Sequence, residues 1–256
     1  SPHTSFVDQG KDFYAIQAYP YSPYGVVGVA WASNWQYGLS VPTDEWRSSM
    51  SLFRNFTLAK VPLNPETSIL SLVNSPIYSA ESRNIIHVSD TVLSRTSPMS
   101  AVLPSHYFTG AVEIIIDWTM SPQAPSMGEL NQFTISLSGK NDDEEFIEMG
   151  FEAYTGSFFF TRGHSKVPFV SDNPFFTDKL SILPQPYAVS KDGYASFKAQ
   201  IVIDSNIAEI FINDGQITTT NLFFTSNGNL LSKFRLSTSK SDIFTINTLT
   251  VNTLNL

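Results

Sequence analysis

Along most of this chain apolar and polar residues alternate with a period of two, which restricts the fold more than any other feature. From Gln132 to Gly139, Phe133, Ile135 and Leu137 fall on one face and Thr134, Ser136 and Ser138 on the other. The stretch "FIEMGFEA" does the same, with Ile147, Met149 and Phe151 opposite Glu148, Gly150 and Glu152. Successive strand side chains point to opposite faces, so such segments are strands with one face for a core. Phe197, Ala199, Ile201 and Ile203 form another face; Asp204-Ser205-Asn206 turns the chain, and Ala208, Ile210 and Ile212 return. Asn213-Asp214-Gly215 is a second tight turn. Near the end, Phe244 and Ile246 lie in one phase and Leu249 and Val251 in the other, a slip that predicts a β-bulge. Helix signals are nearly absent. The single plausible start is Asn64-Pro65-Glu66, leading into a segment that reads equally well as a short extended linker strand. Aromatics at 13% and charged residues at only 15% agree with an aromatic-rich β protein.

Charge and residue usage exclude several classes of function. The net charge is −8, and the only runs of like charge are acidic, which argues against nucleic acid or an anionic membrane as partner. No stretch approaches eighteen consecutive apolar residues, so no membrane span is expected. The absence of cysteine removes disulfides, zinc-thiolate sites and thiol nucleophiles without fixing the compartment. His3, His87, His106 and His164 are scattered without metal-ligand spacing, so neither a metal nor a cofactor is expected. The run Asn141-Asp142-Asp143-Glu144-Glu145 lacks the alternating ligands and glycine of a calcium loop and reads as a solvated hairpin loop. Asn55-Phe56-Thr57 is a sequon for N-glycosylation in a secreted chain.

One stretch departs from this pattern. "GVAWASNWQYGLSVPTDEWRSSMSL" (28–52) carries Trp31, Trp35 and Trp46, three of the four tryptophans, with Asn34 and Arg47 among them. A core could be built from Leu and Ile alone. A surface for a polyhydroxylated ring needs apolar faces for its C–H groups and polar tips for its hydroxyls, and indole and phenol offer both. The alternative is that Trp31 and Trp35, four residues apart on a strand and so on one face, are core. Arg47 reads as structural, hydrogen-bonding backbone carbonyls. Asp8 and Asp12 form a carboxylate pair close to the aromatic cluster, though nothing in the sequence brings them together.

Five segments carry a resemblance: "GKDFYAIQ" (10–17), "AWASNWQY" (30–37), "PTDEWRSSMSL" (42–52), "SFFFTRGHSKVPF" (157–169) and "EIFINDG" (209–215). Together, and in this order, they resemble glycoside hydrolase family 32, in its branch of yeast-invertase-like β-fructofuranosidases. The resemblance implies an all-β chain: the last part of a five-bladed β-propeller at 1–62, a linker at 63–80, and an antiparallel β-sandwich at 81–256. It also implies retaining hydrolysis of terminal β-fructofuranosides, sucrose and fructo-oligosaccharides, with an Asp nucleophile, a Glu acid/base and some fructosyl transfer. The family's Asn-Asp-Pro, Arg-Asp-Pro and Glu-Cys motifs are all absent. On this reading the chain is the C-terminal half of such an enzyme, separated from an N-terminal propeller half and inactive alone. The start at Ser1-Pro2-His3, without initiator Met or signal pattern, is in keeping with a fragment or processed product.

By motif position the resemblance makes Asp12, Tyr14 and Trp31 candidates for the rim or wall of the fructose site, with Asn34 and Trp35 beside them. The expected setting is secreted or extracellular, with Asn55 as a glycosylation site. Phe158, Phe159 and Phe160 cannot all face one core, so at least one should meet the propeller or a second subunit, which points to a homodimer or higher oligomer. The loop from Asn173 to Tyr187, with Phe175, Phe176, Gln185 and Tyr187, is the candidate for reaching a neighbouring sugar site; the competing reading packs it on its own sandwich. A different class of function also fits, a carbohydrate-binding or purely structural β-sandwich module.

Overall fold

A computed structural model describes residues 6–43, 46–62, 66–103, 111–122, 130–182, 190, 192–227 and 229–255. The first sheet is an antiparallel meander of β1 (Tyr14–Ser22), β2 (Gly25–Trp31), β3 (Phe53–Pro62) and β4 (Ser68–Ile77), in that order. β3 and β4 pair without a break from Phe53↔Ile77 to Pro62↔Ser68. This corrects the linker expected at 63–80, because 68–77 is a full strand of the first sheet. Asn64 and Pro65, the supposed helix start, lie outside the described residues.

The remaining strands are β5 (Glu81–Val92), β6 (Met99–Val102), β7 (Ala111–Met120), β8 (Gln132–Gly139), β9 (Phe146–Glu152), β10 (Ser157–His164), β11 (Lys179–Ile182), β12 (Ala195–Asp204), β13 (Ile207–Ile212), β14 (Ile217–Leu222), β15 (Leu231–Thr238) and β16 (Phe244–Asn255). They form two six-stranded antiparallel sheets, ordered β11-β10-β9-β8-β15-β6 and β14-β13-β12-β7-β16-β5. The apolar faces read from the alternation meet between these sheets. Trp118 sits at the centre with Phe133, Phe158 and Phe197 around it, the last stacked at 5.3 Å between ring centroids.

Local sequence signals account for much of this geometry. Ser205, Asn213, Asp214 and Gly215 adopt positive φ in the two tight turns. The phase slip in β16 is a bulge at Asn247: Ile246 opposes Trp118 while Thr248 opposes Asp117, so all four flanking apolar residues reach the core. The extra residue is used, since the Asn247 amide donates to Asp117 Oδ1 and Thr119 Oγ1, each at 2.9 Å. The short helix α1 (Pro168–Asp172) starts on a proline suited to its first turn.

Two surface expectations change. Phe158 and Phe160 belong to the core, and Phe159 points the other way, but it is only 5% exposed. Its ring lies on Gly150, where a Cβ would come within 2.8 Å, and under the Lys179 ammonium at 5.0 Å. The aromatic run therefore presents no free face to a second subunit. The acidic hairpin is only partly solvated. Lys166 pairs with Asp142 and Glu144, and Lys233 with Asp143, while Glu145 is wholly buried. Its Oε1 accepts from the Lys166 and Ser226 backbone N–H groups and the Ser226 hydroxyl, and its Oε2 from the Asn229 amide.

Burial alone would raise the Glu145 carboxyl, but the bonds from Lys166, Asn229 and Ser226 outweigh it and hold the group below its ordinary 4.5. A carboxyl lowered by folding adds stability above its unfolded pKa, and that contribution fades as the pH falls through the folded value. Glu145→Gln should therefore lower Tm at neutral pH, and the gap to the wild type should narrow as the pH drops below about 4.5. Thermal melts across that range check it; a gap independent of pH would contradict it.

Candidate functional site

The junction between the first sheet and the sandwich is built by the chain just ahead of β1. Residues 7–12 run along the free edge of β14, where Gln9 N–H donates to Thr218 O at 2.8 Å and Asp12 N–H to Thr220 O at 3.0 Å. The approach is close enough that a Cβ on Gly10 would lie 2.2 Å from Thr220 O.

Two buried ion clusters sit along this seam. Arg54, on β3, enters the sandwich side: Nη2 reaches Glu209 Oε2 at 2.7 Å and Thr220 Oγ1 at 2.6 Å, and Nη1 reaches Asp8 Oδ2 at 2.8 Å. Its guanidinium lies over the rings of Phe13 and Phe211. Burial raises the Glu209 carboxyl above its usual range and nearby Asp8 adds to that, against the pull of Arg54. Arg162, on β10, points the opposite way. Its Nη1 donates to Asp12 Oδ2 and to Leu222 O, both at 2.8 Å, its Nε to Thr177 O at 2.9 Å, and its Nη2 to the Tyr37 phenol at 3.2 Å. The Phe176 ring covers it at 3.8 Å. Burial first, and then the adjacent Asp12 carboxylate, push the Tyr37 phenol well above its ordinary pKa.

The expected sugar-site residues divide into two groups. Tyr14, Trp31 and Trp35 come together as an aromatic triad, with centroid distances of 6.1 Å for Tyr14–Trp31, 6.5 Å for Tyr14–Trp35 and 5.1 Å for Trp31–Trp35. Tyr14 is 49% and Trp35 67% exposed, so within this chain the triad forms a surface. The two indoles do not share a strand, as their spacing had suggested. β2 ends at Trp31, and Trp35 returns to it from the following turn. Gly38 supports that fold-back, since a Cβ there would lie 3.0 Å from the Trp31 ring. Among the described residues nothing accepts the Trp31 indole N–H, although it is buried.

Asp12 belongs instead behind this surface, which corrects its placement at the rim, and the partly exposed Asn34 is bonded to it. Asp12 is fully buried, and its Oδ1 accepts the Tyr37 phenol at 2.5 Å and the Asn34 amide at 2.8 Å. Its Oδ2 takes Arg162 and the Leu222 N–H, so neither oxygen is left for a ligand. Asn34 also bonds Lys11 O and the Gln36 N–H. Asp8 and Asp12 thus serve different arginines. Arg47 holds the carbonyls of Leu39 and Val41 at 2.9 and 3.0 Å, the structural role its neighbours suggested.

Gln185 and Tyr187 lie outside the described residues. Their loop begins against its own chain: Asn173 reaches Ser40, and Phe176 packs on Tyr37 across the junction, while Phe175 is exposed. Asn55 sits mid-strand in β3, between Val27 and Ser75, with its amide oxygen buried. That is a poor match to the surface loop expected of a glycosylation acceptor. The pairing of Asp12 with Arg162 was not legible in the sequence, since 150 positions separate the two.

Comparison with known proteins gives this geometry a setting. The model "Glycosyl hydrolases family 32 N-terminal domain" matches residues 2–70, and "Glycosyl hydrolases family 32 C terminal" matches 79–253. The chain belongs to glycoside hydrolase family 32. It is 37% identical to an invertase of Kluyveromyces lactis over 97% of this chain and 41% of that one. It is 39% identical to an extracellular exo-inulinase of Meyerozyma guilliermondii over 85% of this chain and 41% of that one. The structure of a β-fructofuranosidase from Schwanniomyces occidentalis complexed with fructosyl-erythritol superposes with a TM-score of 0.88 at 31% identity, covering 100% of this chain and 50% of that chain. The chain thus spans about half the length of the family 32 proteins it matches, in their C-terminal part.

The seam depends on backbone contact at Gly10. Gly10→Ala should cost about 1–3 kcal/mol, typical of forcing an extra carbon into a packed site. A lowered denaturation midpoint checks this; an unchanged one would mean that the segment lifts off β14 freely.

Proposed function

We propose that this chain is the C-terminal half of a secreted retaining β-fructofuranosidase that acts on sucrose and short fructans, with some fructosyl transfer. In this reading the first sheet completes a five-bladed propeller, and Tyr14, Trp31 and Trp35 form part of the wall of its sugar pocket. The observation that carries the reading is the exposed aromatic triad, in a chain of this family. The buried Trp31 indole N–H has no acceptor among the described residues, at a cost of about 1–3 kcal/mol that an acceptor from the N-terminal half would recover. The nucleophilic Asp and the acid/base Glu lie in the N-terminal half. The sandwich braces the propeller, and the two arginine clusters support that role over an independent lectin. No cofactor takes part.

On this account the 256-residue chain alone releases no reducing sugar from sucrose. Measurable turnover by the purified chain, free of host invertase, would overturn it. In the full-length protein, Trp35→Ala should lower kcat/KM for sucrose tenfold or more, which is about 1.4 kcal/mol of transition-state binding. As a pocket-wall residue Trp35 should contribute little to Tm, so the melting temperature should barely move. Trp31→Ala should damage kinetics in the same direction. A core role would show instead as a loss of about 3–5 kcal/mol of stability with normal kinetics.

A further inference from the structure

Arg162 belongs to the sandwich, yet its contacts lead straight to the aromatic triad. It holds Asp12 Oδ2 at 2.8 Å, and Asp12 stands two residues before Tyr14, at the start of β1. The other carboxylate oxygen takes Asn34 and Tyr37, which belong to the turn that carries Trp35 back onto Trp31. Gly38 N–H donates to Asn34 O at 2.8 Å, and the same Gly38 packs on the Trp31 indole. One carboxylate therefore fixes where Tyr14 begins and how the Trp35 turn closes, and its charge is balanced by one guanidinium from the other domain. Arg162 is itself held by Thr177 O, Leu222 O and the Phe176 ring, all in the sandwich.

We propose that Arg162 is a positioning residue for the triad: acting through Asp12, the sandwich sets the relative placement of Tyr14, Trp31 and Trp35. The proposal deepens the functional reading above and rests on it for its kinetic consequence. Without its guanidinium the buried Asp12 carboxylate is uncompensated, and rotating it toward another partner releases the Asn34 and Tyr37 bonds that shape the turn. Displacement of a positioning group by an ångström is enough to cost an enzyme about a hundredfold. Arg162→Lys keeps a charge near Asp12 but cannot also hold Thr177 O, Leu222 O and Tyr37 in the same fork.

The test uses the full-length protein in four forms: wild type, Arg162→Lys, Tyr37→Phe and Leu236→Ala. Leu236 lies in the sandwich core and serves as the purely destabilising reference. Near-UV circular dichroism reports the Trp31–Trp35 pair, its band being assigned by its loss in Trp35→Phe. The expected result is that Arg162→Lys weakens that band and changes KM for sucrose by about tenfold or more. Tyr37→Phe, which removes only the phenolic hydroxyl between Arg162 and Asp12, should shift both in the same direction by less. Leu236→Ala should lower Tm while leaving band and KM unchanged. If Arg162→Lys does not fold, Tyr37→Phe carries the test alone. An unchanged band in the folded variants overturns the proposal. An altered band with unchanged kinetics supports the positioning and overturns the pocket reading, which Trp31→Ala and Trp35→Ala test independently.

Discussion

A guanidinium cannot be buried without a carboxylate and a set of acceptors, and this chain meets that requirement twice across one seam. Arg54 leaves the first sheet and is neutralised by Glu209 and Asp8, and Arg162 leaves the sandwich and is neutralised by Asp12. All three pairs are essentially free of solvent. Removing one partner from such a pair leaves an uncompensated buried charge, at a cost of about 3–5 kcal/mol. Apolar packing at the seam is modest by comparison. Tyr37, Val41, Val170, Phe176, Leu222 and Phe224 form a small cluster beside the larger core of the sandwich. Apolar contact is tolerant of small shifts, whereas two forked cations with fixed acceptors admit a single registration.

That registration has a direct bearing on the surface the family relationship draws attention to. The triad is built on the end of β2, the start of β1 and a turn, which are positions that strand pairing alone leaves loosely defined. The polar network behind it provides what the strands do not, and it draws on residues from both domains. Asp12, expected at the rim of the sugar site, instead helps to hold the residues that face outward. A family motif such as "DFYA" can mark the neighbourhood of a site while its first residue does structural work.

What could be read from the sequence follows from the range over which each interaction acts. Alternation, the two tight turns and the bulge at Asn247 are local, and the strands appear where those patterns place them. β4 was obscured because it has no clean alternation: Ser68–Leu70 are exposed in succession, and Val73 and Asn74 are buried side by side. An Asn-Pro-Glu start also suggested something other than a strand. The proximity of Trp31 and Trp35 was legible, though for the wrong reason, since the turn and not a shared strand face unites them. The pattern requires at least one of Phe158, Phe159 and Phe160 to meet a further surface, and nothing in it shows that Gly150 provides a floor for Phe159. The burial of Glu145 was hidden in a run of acids whose other members are ordinary surface charges.

The path of residues 7–12 along β14 also bears on modularity. These residues act as the outermost rung of a sandwich sheet, although by sequence they belong to the other domain. A sandwich excised at residue 79, where the second family match begins, would carry an open hydrogen-bonding edge and a stranded Glu209 and Arg162. Exposed strand edges of that kind invite pairing with foreign chains. The sandwich is therefore not a self-contained cassette for transplantation. Its true boundary, in the physical sense, includes a ribbon of chain that sequence order assigns to its neighbour.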